Sequence, residues 1–505
     1  MPGVFAHVPW LLVAVQAAAG PGARERAAGS LGIALLIASQ LLLGSPQAVW
    51  ISGATAGLWA LFVLVRARAG AVRWLDMAVA VGLGIACAGA QVVPTFDALR
   101  ESERREPTDE FRNAYAMKPR DAVDLVSPSL QPGPRVETFM YPGAAFPVLA
   151  IAWALRRRRS TVDRAVVAAA LAGAALGLDL SFGDVGLLHR AVGHLPLVGL
   201  FRCPSRYIFI FHVGAAIVVA LGLTDLLRSP REPAPWRSLW PLAIPGGVGA
   251  AVGLALAAGT PPRWIDASPA GLLLGPAFLL GAGALVAFAE RGHRAATVAL
   301  VLLVAADLCT FSMPDFERLP VRSIDALVDV KVPPPAIGTR VRYVGYSWTN
   351  ELTLAGVSLA DGYASLVPER TALSTGFAGV GRAALVRSVN PSALRVMGVT
   401  FVLADAPRSH DHVPSPQPQW FRVPDPLPLA RLVARAVPTS DVARDLDRID
   451  VATTALVNEP VDLPADAAPV GTAALVEQRP GRIVARTSSP GRRLLVIAEA
   501  FHDGW

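Results

Sequence analysis

The chain has 505 residues, 53% of them hydrophobic and only 17% charged, with a mean hydropathy of +0.45. That is too apolar and too sparsely charged for a soluble enzyme of this length, so lipid must solvate much of it. The balance of 46 Lys and Arg against 39 Asp and Glu, a net charge of +7, invites a nucleic-acid reading. The placement of the cations argues against it, because they sit mainly in short loops between apolar stretches, as the positive-inside bias requires.

A bilayer core takes about 20 apolar residues per helix, fewer where flanking residues snorkel. On that rule about ten spans are predicted, near residues 4–20, 30–45, 47–65, 75–96, 143–155, 165–182, 207–227, 239–259, 270–289 and 295–312. The segment Phe5 to Ala19 lacks the basic start of a signal peptide and is followed by further spans, so it reads as a first or truncated helix. Arginine clusters fall in alternate loops: Arg24 and Arg26; Arg66, Arg68 and Arg73; Arg156 to Arg159 with Arg164; Arg228, Arg231 and Arg237; Arg291 and Arg294. Those loops are predicted to be cytoplasmic. The loops at 97–142 and 183–206, Met1, and everything after Met313 then lie outside.

From residue 313 the long apolar runs end and prolines multiply. Short β-branched or apolar runs at Arg340 to Tyr346, Val399 to Leu403, Arg482 to Thr487 and Arg493 to Ala498 predict strands. The expected architecture is a polytopic α-helical membrane domain over 1–312 and a mixed, β-rich extracytoplasmic domain over 313–505. Ser409 to Gln419 reads as a loop or linker by its proline and polar content. Cys87 and Cys309 lie in apolar stretches and Cys203 stands alone, so there is no CxxC or zinc spacing.

Six segments together resemble the YfhO-type family of bacterial membrane proteins, which look like relatives of the polyprenyl-phosphate-sugar-dependent (GT-C) glycosyltransferases. They are LLLGSPQAVW (41–50), QVVPTFDALRESERRE (91–106), LPLVGLFRCPSRYIFIF (195–211), NPSALRVMGVTFVLAD (390–405), PLPLARLVARA (426–436) and LLVIAEAFHDGW (494–505). The first stands in place of the family's Gly-His-Pro-Gln turn, with Ser45 where histidine is expected. The resemblance implies a polyprenyl-phosphate-sugar donor and a cell-envelope glycan or teichoic-acid-like acceptor. It also implies a chain truncated at both ends, with the acidic residue that activates the acceptor upstream of Met1.

The strongest local candidate is Phe201-Arg202-Cys203-Pro204-Ser205-Arg206-Tyr207 at the mouth of a span. Two guanidiniums four residues apart suit a lipid-linked phosphate or pyrophosphate, and equally suit headgroup anchors or partners for loop carboxylates. In the loop after residue 96, Asp97, Glu101 and Glu103 are candidate general bases or ligands for a divalent cation, against a plain reading as a solvated helix end. No metal site and no organic cofactor is assigned. Asp179, Asp225 and Asp307 lie in or near spans and must face the bundle, a cavity or the interface; Asp225 reads as an ion pair with Arg228, and Asp307, with no obvious partner in the sequence, is a functional suspect for which a polar contact between helices is the favoured reading. His189 and His194 suit a sugar or phosphate, or simply an interface. His410-Asp411-His412 invites a metal reading that its proline-rich setting opposes. Tyr346, Trp348 and Tyr363, with Asn350, Asp361 and Gly362, suit stacking on sugar rings or an ordinary core.

Overall fold

A computed structural model describes residues 2–102, 104–125, 139–156, 162–195, 198–228, 269–317, 339–344, 356–360, 390–404, 419–464, 470–479 and 481–499, with 247, 251 and 353 besides. Glu103, Arg157 to Arg159, the expected span at 239–259, the aromatic segment 345–352 with Asp361 to Tyr363, and His410 to His412 lie outside the described residues. The chain divides into two compact units, Met1–Pro94 with Thr108–Pro320, and Thr95–Pro107 with Val321–Trp505.

The first unit is helical. Its helices are α1 (Pro2–Phe5), α2 (Val8–Ala18), α3 (Ala23–Leu42), α4 (Pro46–Arg66), α5 (Ala71–Cys87), α6 (Gly89–Arg100, which runs on into the second unit), α7 (Asp109–Asn113), α8 (Ala145–Arg156), α9 (Arg164–Ser181), α10 (Leu187–Val192), α11 (Ile208–Arg228), α12 (Pro269–Glu290) and α13 (Arg294–Glu317). Among the described residues five segments are long and apolar enough to cross a membrane: Pro46–Arg66, Arg164–Ser181, Pro204–Arg228, Leu273–Glu290 and Arg294–Phe311. A sixth is added if α5 and α6, bent by 77° at Ala88, count as one span. Gly3–Ala18 and Ala145–Ala154 are apolar but shorter. Helix α3 covers the expected second span, but Arg24, Glu25 and Arg26 occupy its first turn and lower its hydropathy.

Turn chemistry explains the reversal from α3 to α4. Gly44 takes φ +74, the left-handed conformation that closes a helix, and Pro46 opens α4 at a position where no N–H is needed. Inside this corner Gln40 is fully buried and donates to Val4 O at 3.0 Å and Ser52 Oγ at 2.7 Å.

Apolar packing forms several clusters. Leu11, Ile33, Leu64, Met77 and Ala80 join α2, α3, α4 and α5. Val148, Leu149, Leu279, Ala282, Val286 and Leu300 join α8, α12 and α13. Between them, α9 and α11 pack on small residues, with Ile51 of α4 against Leu180 and Ile210. A Cβ on Gly177 would stand 2.6 Å from Phe211 N, and one on Gly214 would stand 2.5 Å from Ala170 O. Backbone therefore approaches backbone at this crossing, the device by which apolar helices associate when lipid offers no hydrophobic gain.

Among the described residues the second unit carries the strands and two short helices. In chain order these are β1 (Arg340–Val344), β2 (Ser358–Leu359), α14 (Pro391–Val396), β3 (Val399–Ala404), β4 (Gln419–Arg422), β5 (Ala430–Val433), β6 (Arg435–Pro438), α15 (Val442–Asp445), β7 (Thr454–Val457), β8 (Thr472–Arg479), β9 (Arg482–Ser488) and β10 (Leu494–Ile497). A four-stranded sheet runs β2-β1-β3-β4, with β1 parallel to both neighbours and β4 antiparallel to β3. Strand pairs β10-β5, β6-β7 and β8-β9 complete the unit among the described residues. Val341, Val357 and Leu403 bury the sheet's centre, and Phe401 and Trp420 meet edge to face at 6.2 Å. Asn390 caps α14 by accepting from Ser392 N and Ala393 N, just before Pro391 at the first helical position.

Because no space exists at the α9–α11 crossing, Gly214→Leu is expected to destabilise the first unit by about 1–3 kcal/mol through overpacking. A lowered thermal midpoint in detergent, with little change for Gly173→Leu, whose added Cβ meets nothing within 4 Å, is the measurement that checks it.

Candidate functional site

The segment FRCPSRY enters α11 through a 3-10 turn at Pro204–Tyr207, with Pro204 at its first position. Cys203 precedes it with φ 60 and ψ 66, left-handed values that a side chain tolerates poorly. Tyr115, at φ 61, shares that conformation, and the two are joined through Cys203 N, which donates to Ala114 O at 3.0 Å. Of the four non-glycine residues with positive φ among the described residues, two therefore meet here. Such strain costs of order 1–3 kcal/mol per residue and persists only where surrounding contacts over-determine it.

Those contacts come from α4. Gln47, in its first turn and 6% exposed, donates from Nε2 to Arg202 O and to Cys203 O at 3.2 Å. Its Oε1 accepts from Arg206 Nη1 at 2.6 Å. One turn further, Trp50 Nε1 donates to Tyr207 OH at 3.0 Å. The Arg202 guanidinium lies over the Tyr115 ring, 5.8 Å from its centroid. Both arginines are half-buried.

The loops around the turn are polar and cross-linked. Arg112 donates to Asp109 at 2.5 Å and approaches His194 Nδ1 at 3.3 Å. Asn113 donates to Asp184 Oδ2 and accepts from Asp184 N at 3.0 Å. Asp179 accepts from Leu187 N at 3.0 Å and Leu188 N at 2.8 Å, so its carboxylate caps α10, a placement the helix dipole favours. His189 is buried on α10 with its ring 6.4 Å from that of Tyr207. Its Nδ1, like the buried Ser205 Oγ, has no hydrogen-bond partner among the described residues. Burial holds the His189 imidazole below its ordinary value; the charges of Asp184 and Asp179 oppose this, and His194 reinforces it.

The other sequence candidates fall elsewhere. Asp97 is on α6 and Glu101 just after it, in the stretch Thr95–Pro107 that belongs to the second unit, whereas Arg202 and Arg206 belong to the first. Asp225 is buried on α11 and lines a cavity with Leu149, Ala152, Trp153, Gly222 and Leu226. Asp307 makes a polar contact across the bundle, the reading its sequence position favoured over a functional role. It is fully buried, Tyr141 OH donates to its Oδ1 at 2.8 Å, and Ala144 N donates to its Oδ2 at 2.7 Å. A residue of α13 thereby caps the start of α8 from across the bundle. Gly143 next to it, at φ +85, passes so close that a Cβ would stand 3.5 Å from Asp307 Oδ2. Burial, then the charge of Asp307, push the Tyr141 hydroxyl well above the ordinary tyrosine range. Among the described residues no group of three or more His, Cys, Asp or Glu is placed to hold a metal ion.

Sequence reasoning singled out both segments of this site but missed what joins them. It read the Gly-Ser-Pro-Gln turn for the histidine that Ser45 replaces and passed over Gln47. A glutamine at the start of an otherwise apolar helix was the available signal, since a polar side chain there must find partners. No protein-family model matches the chain, and no curated protein or solved structure matches it.

Two outcomes are expected from these contacts. Asp307→Ala strands the Tyr141 hydroxyl and the Ala144 amide, each at a cost of about 1–3 kcal/mol, so its thermal midpoint falls further than that of Tyr141→Phe. His189 is held neutral in the fold and protonates more readily when unfolded. Its contribution is therefore present above about pH 6.5 and lost as the pH falls below that value. Melting between pH 7.5 and 5 tests this: His189→Gln flattens the acid-side loss of stability relative to wild type.

Proposed function

We propose that the chain is a YfhO-type, GT-C-like membrane glycosyltransferase with about ten spans. It transfers a sugar from a polyprenyl-phosphate donor to a cell-envelope glycan or teichoic-acid-like acceptor on the outer side, where the strand-containing unit also lies. What carries the reading is the meeting of Gln47 with Arg202 and Arg206 at the mouth of α4 and α11. Two of the segments that resemble the family, 41–50 and 195–211, are held together there by side-chain hydrogen bonds.

The chemistry suits a phosphate. Guanidiniums bind phosphoryl oxygens bidentately, and the half-buried setting strengthens such charge-assisted bonds over their value in open water. Apolar surface on the helices of this unit suits a polyprenyl chain: Trp10, Leu58 and Leu61 are exposed large hydrophobics on α2 and α4. In this reading Arg202 and Arg206 hold the donor phosphate and stabilise charge on it as the sugar departs, with the proton of the acceptor hydroxyl taken by an ionised carboxylate outside this cluster acting as general base. Asp97, Glu101 and Glu103 remain the candidates within the chain.

The test is transfer of label from a radiolabelled polyprenyl-phosphate sugar in membranes carrying the full-length protein. Arg202→Ala and Arg206→Ala are each expected to lower transfer about 10–100-fold at normal expression, the loss of a hydrogen bond to a charged group. Unchanged turnover in both removes the donor role. Movement of the labelled lipid across the bilayer without transfer supports instead a lipid-linked glycan transporter, and retention of polymer by the strand-containing unit alone supports an envelope-polysaccharide scaffold.

A further inference from the structure

Gln47 is bonded to two adjacent backbone carbonyls and one guanidinium that lie more than 150 positions away in sequence, and together the bonds use both the donor and the acceptor end of a carboxamide. The –NH2 end donates to the carbonyls of Arg202 and Cys203, and the C=O end accepts from Arg206. Few side chains do both at this reach. Glutamate has no donor for the carbonyls, lysine and arginine have no acceptor for the guanidinium, and asparagine is one methylene shorter. Gln47 is itself held by the corner between α3 and α4, where Gly44 at φ +74 and Pro46 set the entry of the helix.

The backbone that Gln47 grips is the strained one. Cys203 keeps its left-handed φ with its carbonyl bonded both to Gln47 Nε2 at 3.2 Å and to Arg206 N at 3.1 Å. Release of Gln47 removes one bond from that carbonyl and one from the guanidinium together. The position of Arg202 along the turn and the orientation of Arg206 are thus coupled through one side chain.

We infer that Gln47 is a positioning residue of the anion site: it fixes the backbone at Arg202 and Cys203 and the guanidinium of Arg206 in the one arrangement that receives a lipid-linked phosphate monoester. This rests on the reading of the turn as the donor-phosphate site. Gln47 acts through Arg206 and the 202–203 backbone, and forms no bond of its own to the phosphate. Anion affinity then depends less on Gln47 once Arg206 is absent, because only the route through the 202–203 backbone remains.

Binding of farnesyl phosphate to the full chain in detergent, with farnesol as the uncharged control, tests both levels. Wild type is expected to bind the phosphate and not the alcohol. Gln47→Met is expected to weaken binding about tenfold, the loss of one charge-assisted contact. Gln47→Glu is expected to weaken it at least as much, because its carboxylate still pairs with Arg206, and so keeps the fold, but repels the phosphate and cannot hold the carbonyls. In an Arg206→Ala background, Gln47→Met is expected to add less than about twofold, the non-additivity of residues acting as one unit. Wild-type affinity in both Gln47 variants while Arg206→Ala loses binding overturns the positioning role and leaves the phosphate site standing. Losses that multiply fully in the double variant also overturn it. Failure of wild type to distinguish farnesyl phosphate from farnesol overturns the phosphate site itself, and the positioning role with it.

Discussion

Gly177 and Gly214 let α9 and α11 come together with backbone against backbone, and the polar cluster at their ends is arranged by that contact. From α9, Asp179 caps α10, and Ser181 O accepts from Met117 N at 3.0 Å, which draws in the strand of loop bearing Ala114 and Tyr115. From α11 comes the turn that carries Arg202 to Tyr207. Any larger residue at the crossing would move these two sets of groups apart, and the bond from Cys203 N to Ala114 O is the first that such a shift would break.

Three buried polar side chains of the helical unit follow one rule, joining elements distant in sequence: Gln40 to Val4 and Ser52, Gln47 to the 202–203 turn, Asp307 to Tyr141 and Ala144. A buried donor or acceptor without a partner costs more than a typical hydrogen bond returns, so each such residue selects one arrangement of apolar helices that would otherwise slide over one another. Asp307 and Gln47 illustrate the two uses of this rule. The first satisfies a helix start and a tyrosine hydroxyl. The second orders a guanidinium, which is a group able to meet an anion.

Much of the architecture was legible from the chain alone. Helices stand at nine of the ten predicted span positions, the tenth lying outside the described residues, and β1, β3, β9 and β10 begin within a residue of the predicted strands. Periodicity, apolar length and turn residues are local properties, and local properties survive in a sequence. Crossing length was less legible: α3 carries charges in its first turn, and α2 and α8 are short, so among the described residues five helices, or six with the bent pair, have the length and composition of a span. The bend of 77° between α5 and α6 also escaped, because Ala88 and Gly89 are as compatible with a straight helix as with a break.

The sequence by itself determined that this chain builds long apolar helices followed by a strand-containing region, and that Arg202 and Arg206 sit where an apolar helix begins, since each of these depends only on neighbours along the chain. Tertiary structure alone decided that Gln47, 155 positions before Arg202, holds that turn, that Cys203 and Tyr115 are strained side by side, and that Asp307 has partners in a different loop. The reason is that a hydrogen bond between side chains of separate helices leaves no periodic trace. Its specificity lies in three-dimensional distance and direction, which only packing of the small-residue faces brings into being.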